Sequence, residues 1–324
     1  LILSHFLIDY KMRKALVIGI NDYPAAPLTG CINDASAFAN TIEKNGDGSP
    51  NFSVRLETDV PTKAQLKTMI KELFDGPNDI SLLYFSGHGF LNELGGYIVT
   101  PDYQENDEGV SMDEILTIAN QSKAKDKVII LDCCHSGVFG SPALSGNVSA
   151  QIFEGVVVLT ASRPTESAIE VNGHGIFTNL LIDALQGGAA DLRGHITPGS
   201  VYAYIDQALG AWDQRPVFKT NVTRFTSLRT VTPQVPTEVL RKITEYFPTA
   251  EEEHALDPTY EFDNKEIAIP EKVAIMKDLQ KFVSIGLVVP VGEEHMYYAA
   301  QNSKSCKLTA LGYHYWRLVK ENKL

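Results

Sequence analysis

Leu82-Leu83-Tyr84-Phe85-Ser86-Gly87-His88-Gly89 and Val128-Ile129-Ile130-Leu131-Asp132-Cys133-Cys134-His135-Ser136-Gly137 are two segments of one design. Each is a short apolar run that stops at a potentially catalytic side chain flanked by glycine. Runs of this length, rich in Val, Ile, Leu and aromatics and closed by small residues, read as strands buried on both faces of a parallel sheet. In open parallel sheets chemistry collects just beyond the carboxyl ends of the strands. A histidine at one such end and a cysteine at another point to a Cys-His nucleophilic pair.

Working outward, Lys14–Ile20 reads as a first strand, followed by a Pro/Gly loop and a helix over 33–44 with one apolar face at Ala35, Phe38, Ala39 and Ile42. A strand over 52–57 and a helix over 62–73 follow, with Thr62 as N-cap. The stretch after Gly89 reads as a polar acidic loop. A helix over 111–120, strands over 128–132 and 155–160, helices over 177–185 and 198–209 and a last strand near 215–219 complete the pattern. Strands alternating with helices at this spacing predict a three-layer α/β/α sandwich around a mostly parallel sheet. The expected domains are an N-terminal extension at 1–12, the α/β domain at 13–225, a Thr/Pro-rich exposed linker at 226–238 and a small α+β module at 239–324. In that module a helix near 239–247, a longer helix near 270–285, a hairpin joining 286–291 to 296–300 and a final helix over 309–321 read as winged-helix-like.

The chain has 324 residues, 44% of them apolar, and a formal charge of −12. That charge opposes a general phosphate footprint, so no nucleic-acid partner is expected, and it suits a basic substrate. No run approaches the roughly 18 apolar residues of a membrane span, and residues 1–12 do not read as a secretory leader. Four scattered cysteines, Cys31, Cys133, Cys134 and Cys306, form neither a disulfide framework nor a zinc motif, so a reducing cytoplasmic setting is expected.

The motifs Ser86-Gly87-His88-Gly89, Asp132-Cys133-Cys134-His135-Ser136-Gly137 and Gly30-Cys31-Ile32-Asn33-Asp34-Ala35 resemble, in kind and order, the metacaspase and bacterial caspase-like branch of clan CD cysteine peptidases (C14-type). The resemblance spans about residues 13–225. It implies Cys134 as nucleophile, His88 as general base and acid, and the backbone amides of Gly89 and Cys134 as the oxyanion hole. The chemistry needs such a pair, because a thiol of pKa about 8.5 is mostly protonated at neutral pH until an imidazole shares its proton. Cys133 is the competing thiol, which strand alternation turns to the opposite side. His135 reads as a structural loop residue. Glu166, Glu170 and the segment 173–178 resemble the small-subunit half of bacterial caspase-like proteins, with His174 in a supporting role.

By the same resemblance Cys31, Asp34, Ser86 and Asp132 line the S1 pocket. Two anions in a partly buried pocket favour guanidinium over ammonium, so cleavage after Arg, then Lys, is expected. The plainer readings are a helix cap for Asp34 and a loop brace for Asp132. No cofactor is expected: the acidic loop 102–113 offers oxygen ligands for calcium, but a solvated loop is the preferred reading. From Val128 to Ser162 there is no Lys or Arg, so self-cleavage after the nucleophile is not expected, and Arg229 in the linker is the best candidate for it.

Residues 236–324 carry 11 Lys/Arg against 14 Asp/Glu, which favours a regulatory protein partner over DNA for the module. Tyr297, Tyr298, Tyr313, Tyr315 and Trp316 are expected in its core or against the larger domain. The resulting expectation is a regulated cysteine endopeptidase of a bacterial stress or antiviral-defence programme, acting on a protein such as a gasdermin-like pore former. The alternative is a caspase-like scaffold acting through its C-terminal module.

Overall fold

Side-chain alternation along the apolar strands sets the architecture, seen in a computed structural model that describes residues 12–93, 95–133, 152–161, 170–171, 174–209 and 216–324. The chain divides into two compact units, one ending at Val231 and one comprising 191–194 and 232–324.

In the first unit the elements run β1 (Arg13–Gly19), α1 (Cys31–Glu43), β2 (Ser53–Thr58), α2 (Lys63–Phe74), β3 (Ile80–Ser86), β4 (Gly89–Asn92), β5 (Gly95–Ile98), β6 (Val110–Ser111), α3 (Met112–Gln121) and β7 (Asp126–Asp132). They continue with β8 (Val156–Thr160), β9 (Glu170–Val171), β10 (His174–Gly175), α4 (Ile176–Asp183), β11 (His195–Ile196), α5 (Pro198–Leu209), β12 (Val217–Asn221) and β13 (Arg229–Thr230). The main sheet has the order β12-β8-β7-β3-β1-β2, parallel except for β12, which runs antiparallel to β8.

Successive strand residues feed opposite layers, as the period of two requires. Ala15, Val17, Leu82, Tyr84, Val128, Ile130, Val157 and Leu159 pack with α1, α4 and α5. Leu16, Ile18, Leu83, Phe85, Ile129, Leu131, Val156 and Val158 pack with α2 and α3. This is the expected α/β/α sandwich, with the Thr62 cap read from sequence in place: Thr62 accepts from the Gln65 amide, and Ser111 likewise accepts from the Asp113 amide at the start of α3. The stretch after Gly89 differs from the expected loop, since β4, β5 and β6 form a small antiparallel sheet of their own.

The expected exposed linker is also corrected. Residues 226–231 belong to the first unit, where β13 pairs with β11 and Leu228 is buried, and Val235 is buried in the second. The Arg13 guanidinium donates to the carbonyls of Ser227 and Leu228 at 2.7 and 2.9 Å and lies 4.3 Å over the Phe52 ring. Its burial lowers its pKa to about 10, against the opposing pull of Asp79. Arg229 donates to the carbonyls of Lys44 and Leu185 at 2.9 and 2.8 Å, so its backbone is paired and its side chain engaged. Cleavage after Arg229 therefore requires β13 to peel away first.

The second unit contains α6 (Thr237–Arg241), α7 (Ile243–Tyr246), β14 (His254–Ala255), α8 (Pro270–Ser284), β15 (Val288–Val291), α9 (Met296–Gln301), β16 (Ser305–Leu308) and α10 (Ala310–Lys320). Its antiparallel sheet has the order β14-β16-β15. It is α+β, but the expected hairpin between 286–291 and 296–300 is not formed. Residues 296–300 are helical because Met296, Ala299 and Ala300 bury one face at helical spacing, and β15 pairs with β16 instead. Tyr297, Tyr298 and Tyr313 are exposed rather than core, while Trp316 packs on the core and donates its indole N–H to the Phe247 carbonyl at 2.7 Å. Among the described residues no helix is long and apolar enough to cross a membrane.

Candidate active site

The sheet order places β1 beside both β2 and β3, so the connections leaving β1 and β3 diverge and open a crevice at their carboxyl ends. The strand ends are in register: Gly19 pairs with Ser86, and Ser86 with Asp132. His88 lies two residues beyond the end of β3, and Cys134 follows Asp132 by two in the sequence; β3 and β7 are neighbouring strands, a spacing of about 4.8 Å. Cys134, His135 and Glu166 lie outside the described residues.

His88 is held from two sides by the loop that follows β1. That loop is fixed at its ends: the Asn21 side chain accepts from the Cys31 amide at 3.0 Å, capping α1, and Asp59 accepts from the amides of Asn21 and Asp22 at 2.8 and 2.9 Å. From the loop, the Ala26 carbonyl lies 2.7 Å from His88 Nε2. A carbonyl oxygen only accepts, so Nε2 is the donor, and in the neutral imidazole the free lone pair is that of Nδ1. Nδ1 is thereby the nitrogen able to take a proton from a thiol.

The second hold is Tyr23. Its ring meets the imidazole edge-on at 4.5 Å. Its hydroxyl accepts from the His88 amide at 3.0 Å and donates to the Val99 carbonyl at 3.1 Å, while the Val99 amide donates to the His88 carbonyl at 3.0 Å. His88 and Val99 thus face each other like an antiparallel pair in which one ladder bond is spliced by a tyrosine hydroxyl. Burial pushes the Tyr23 phenol far up, so it stays protonated and keeps donating. Gly87 leaves the necessary space, because a Cβ there would lie 2.5 Å from the Tyr23 hydroxyl oxygen and 2.8 Å from the Phe85 ring.

Gly89 pairs with Ile98 in the next position of that ladder. Hydrogen-bonded and non-hydrogen-bonded pairs alternate along antiparallel strands. With His88 and Val99 in a bonded position, the Gly89 N–H is directed away from β5.

Asp34, in the first turn of α1, and Asp132, at the end of β7, are 3% and 2% exposed, and Ser86 is equally buried. Asp34 accepts from the Gly175 amide at 3.2 Å, at the start of α4. Asp132 accepts from the Thr178 hydroxyl at 2.7 Å, and Thr178 lies 2.6 Å from the Tyr84 hydroxyl. Cys31 opens α1 and is half-buried. Burial first, then the charges of Asp132 and Asp34, raises the Tyr84 phenol well above its ordinary range. Cys133 is fully buried in the α2/α3 layer, opposite the acids.

In the acidic loop, Asp102 accepts from the Lys63 amide and the Thr100 hydroxyl, Asp107 pairs with the Lys63 ammonium, and Glu108 accepts from the Asn92 amide nitrogen. Glu114, just beyond it, pairs with Lys67 at 2.8 Å. Among the described residues no three His, Cys, Asp or Glu gather as a metal-ligand set. Sequence reasoning missed Tyr23, Ala26, Tyr84 and Thr178. For Thr178 a signal existed, a hydroxyl just inside the helix that follows Gly175.

A parallel-stranded α/β/α sandwich with a histidine and a buried carboxylate at adjoining strand ends, and a second buried carboxylate in the first turn of α1, is a caspase-like architecture. The sequence model of the Peptidase_C14 family, described as Caspase domain, matches residues 12–226. The chain belongs to that family, a family of cysteine-type peptidases. It is 34% identical over 145 residues to Metacaspase-1 of Eremothecium gossypii, covering 39% of this chain and 32% of that one. It is 28% identical over 207 residues to Metacaspase-1B of Aspergillus fumigatus, covering 56% and 50%. The crystal structure of Caspase-1 from Spodoptera frugiperda superposes with a TM-score of 0.50 over 68% of this chain and 92% of that chain, at 15% identity. The chain spans a third to a half of the length of these two curated metacaspases.

Proposed function

We propose that this chain is a cysteine endopeptidase that cleaves protein substrates after Arg, and less readily after Lys, through a Cys134–His88 dyad. The observation that carries the reading is His88 itself: the Ala26 carbonyl fixes its tautomer, and the imidazole stands at the end of the strand next to the one leading to Cys134. In this reading the Cys134 thiol gives its proton to His88 Nδ1 and the thiolate attacks the scissile carbonyl. The amides of Gly89 and Cys134 receive the developing oxyanion. His88 then protonates the leaving amine, and water, deprotonated by the same imidazole, resolves the thioester. Asp34 and Asp132, two nearly dry carboxylates, favour a guanidinium at P1, assisted by Cys31 and Ser86 as pocket walls.

No metal enters this mechanism, and activity independent of calcium belongs to the proposal. A regulated cytoplasmic role in bacterial defence, releasing a partner such as a gasdermin-like pore former under control of the second unit, rests on the resemblance to bacterial caspase-like peptidases. The test is hydrolysis of fluorogenic peptides with Arg, Lys or Asp at P1, with calcium and with chelator, by wild type, Cys134→Ala and His88→Ala. Cleavage after Arg that both substitutions abolish supports the reading. Cleavage after Asp removes the acidic-pocket assignment, and turnover surviving Cys134→Ala removes the dyad. Absence of turnover by every form favours a caspase-like scaffold acting through its second unit.

A further inference from the structure

We propose that Thr178, backed by Tyr84, is a positioning residue for substrate specificity: it holds the Asp132 carboxylate in the orientation that receives the P1 cation. The inference rests on the acidic-pocket reading and deepens it.

Three observations combine. The first is a directional chain of hydrogen bonds. A carboxylate has no proton to give, so the single Thr178 hydroxyl proton goes to Asp132 Oδ2 at 2.7 Å. The Thr178 oxygen is then left as acceptor, and the Tyr84 hydroxyl, 2.6 Å away, must be its donor. Tyr84 is fully buried and its phenol is held far above its ordinary range, so it remains a donor at any working pH. The second is burial without exception: Tyr84 and Thr178 are inaccessible and Asp132 nearly so, which makes each bond hard to replace with water.

The third is placement. Thr178 stands in the first turn of α4, whose entry at Gly175 donates its amide to Asp34 Oδ2 at 3.2 Å. One short segment of backbone therefore braces both acids, Asp34 through an amide and Asp132 through a hydroxyl. Phe38 stacks on the Tyr84 ring at 4.4 Å and fixes it from α1. Neither Tyr84 nor Thr178 is placed to touch the scissile bond; each acts through the carboxylate.

A group that orients a binding carboxylate affects substrate binding in ground and transition state alike, so its loss appears in KM more than in kcat. The experiment compares the full chain as wild type, Thr178→Val, Thr178→Ser and Tyr84→Phe on Arg and Lys peptides, with thermal unfolding recorded for each. Thr178→Val keeps the side-chain volume and removes the donor, and is expected to raise KM for the Arg peptide about ten-fold or more, with kcat within about three-fold of wild type. Tyr84→Phe, one bond further out, is expected to raise KM about three-fold, and Thr178→Ser to return to within about two-fold of wild type. Unchanged KM in Thr178→Val, or a loss of kcat that Thr178→Ser fails to restore, overturns the inference while leaving the Arg reading intact. A folded wild type that cleaves after neither Arg nor Lys overturns the reading and this inference with it. Because wild type is measured by itself, the two failures are told apart.

Discussion

Replacing Tyr23 by Phe removes one oxygen and leaves the ring against His88 in place. In wild type that oxygen joins the His88 amide to the Val99 carbonyl, at 3.0 and 3.1 Å, in a site where Tyr23 is 5% and Val99 7% exposed. Without it two outcomes are open to the backbone. If the strands keep their positions, one part-buried N–H and one buried C=O lose their partner, and an unsatisfied buried polar group costs about 1–3 kcal/mol. If the strands close and His88 donates directly to Val99, one bond of about 1 kcal/mol is recovered, but His88 moves with its backbone. The relaxed outcome sets a net destabilisation of about 1 kcal/mol and the two unsatisfied groups an upper bound of about 2–6 kcal/mol, with a fall in Tm of about 2–4 °C for each kcal/mol in a unit of this size. A displacement of a catalytic group by about 1 Å can cost about a hundred-fold in rate, so kcat is expected to fall ten- to a hundred-fold with KM little changed. Urea unfolding and steady-state kinetics on an Arg peptide measure both quantities. Wild-type kcat together with wild-type stability in Tyr23→Phe would refute the spliced-ladder account of how His88 is held.

The stability of the first unit is expected to fall as pH rises above the ordinary phenol value of 10.0, because Tyr23 and Tyr84 stay protonated when folded and ionise when unfolded. Their contribution is complete below that value and is lost above it, by up to about 1.4 kcal/mol per pH unit for each group; urea midpoints between pH 8 and 11 should decline more steeply for wild type than for Tyr23→Phe/Tyr84→Phe. Iodoacetamide is expected to leave Cys133 and Cys306 unmodified in the native protein, since both are fully buried and burial raises the Cys306 thiol to about 12; peptide mapping that finds either one alkylated as fast as in urea contradicts their placement.

The fold was legible where burial on both faces forces a continuous apolar run. Ile80–Ser86 and Asp126–Asp132 have almost no exposed residue, and such runs admit few alternatives to a central parallel strand. Met296–Gln301 misled for the opposite reason: two adjacent tyrosines suggest a strand, but they face outward, and the decisive signal is carried by Met296, Ala299 and Ala300. The small sheet β4-β5-β6 was hidden because its strands are only two to four residues long and two of them begin with glycine, too short to show an alternating pattern.

The site divides along the same physical line. Residues whose chemistry depends on their own functional group, such as His88, Asp34 and Asp132, announce themselves at strand and helix ends. Residues whose chemistry depends on what they touch do not. Tyr23 is 65 positions from His88 and Thr178 is 46 from Asp132, and both are common hydroxyl residues in segments with other reasons to exist. Their partners are fixed by the parallel sheet, which brings the ends of β1, β3 and β7 into register and lets a loop from one strand end reach a side chain on the next. A substitution at Thr178 or Tyr23 therefore looks conservative in sequence and is not so in space, because each removes an oxygen that connects two separate elements of the site.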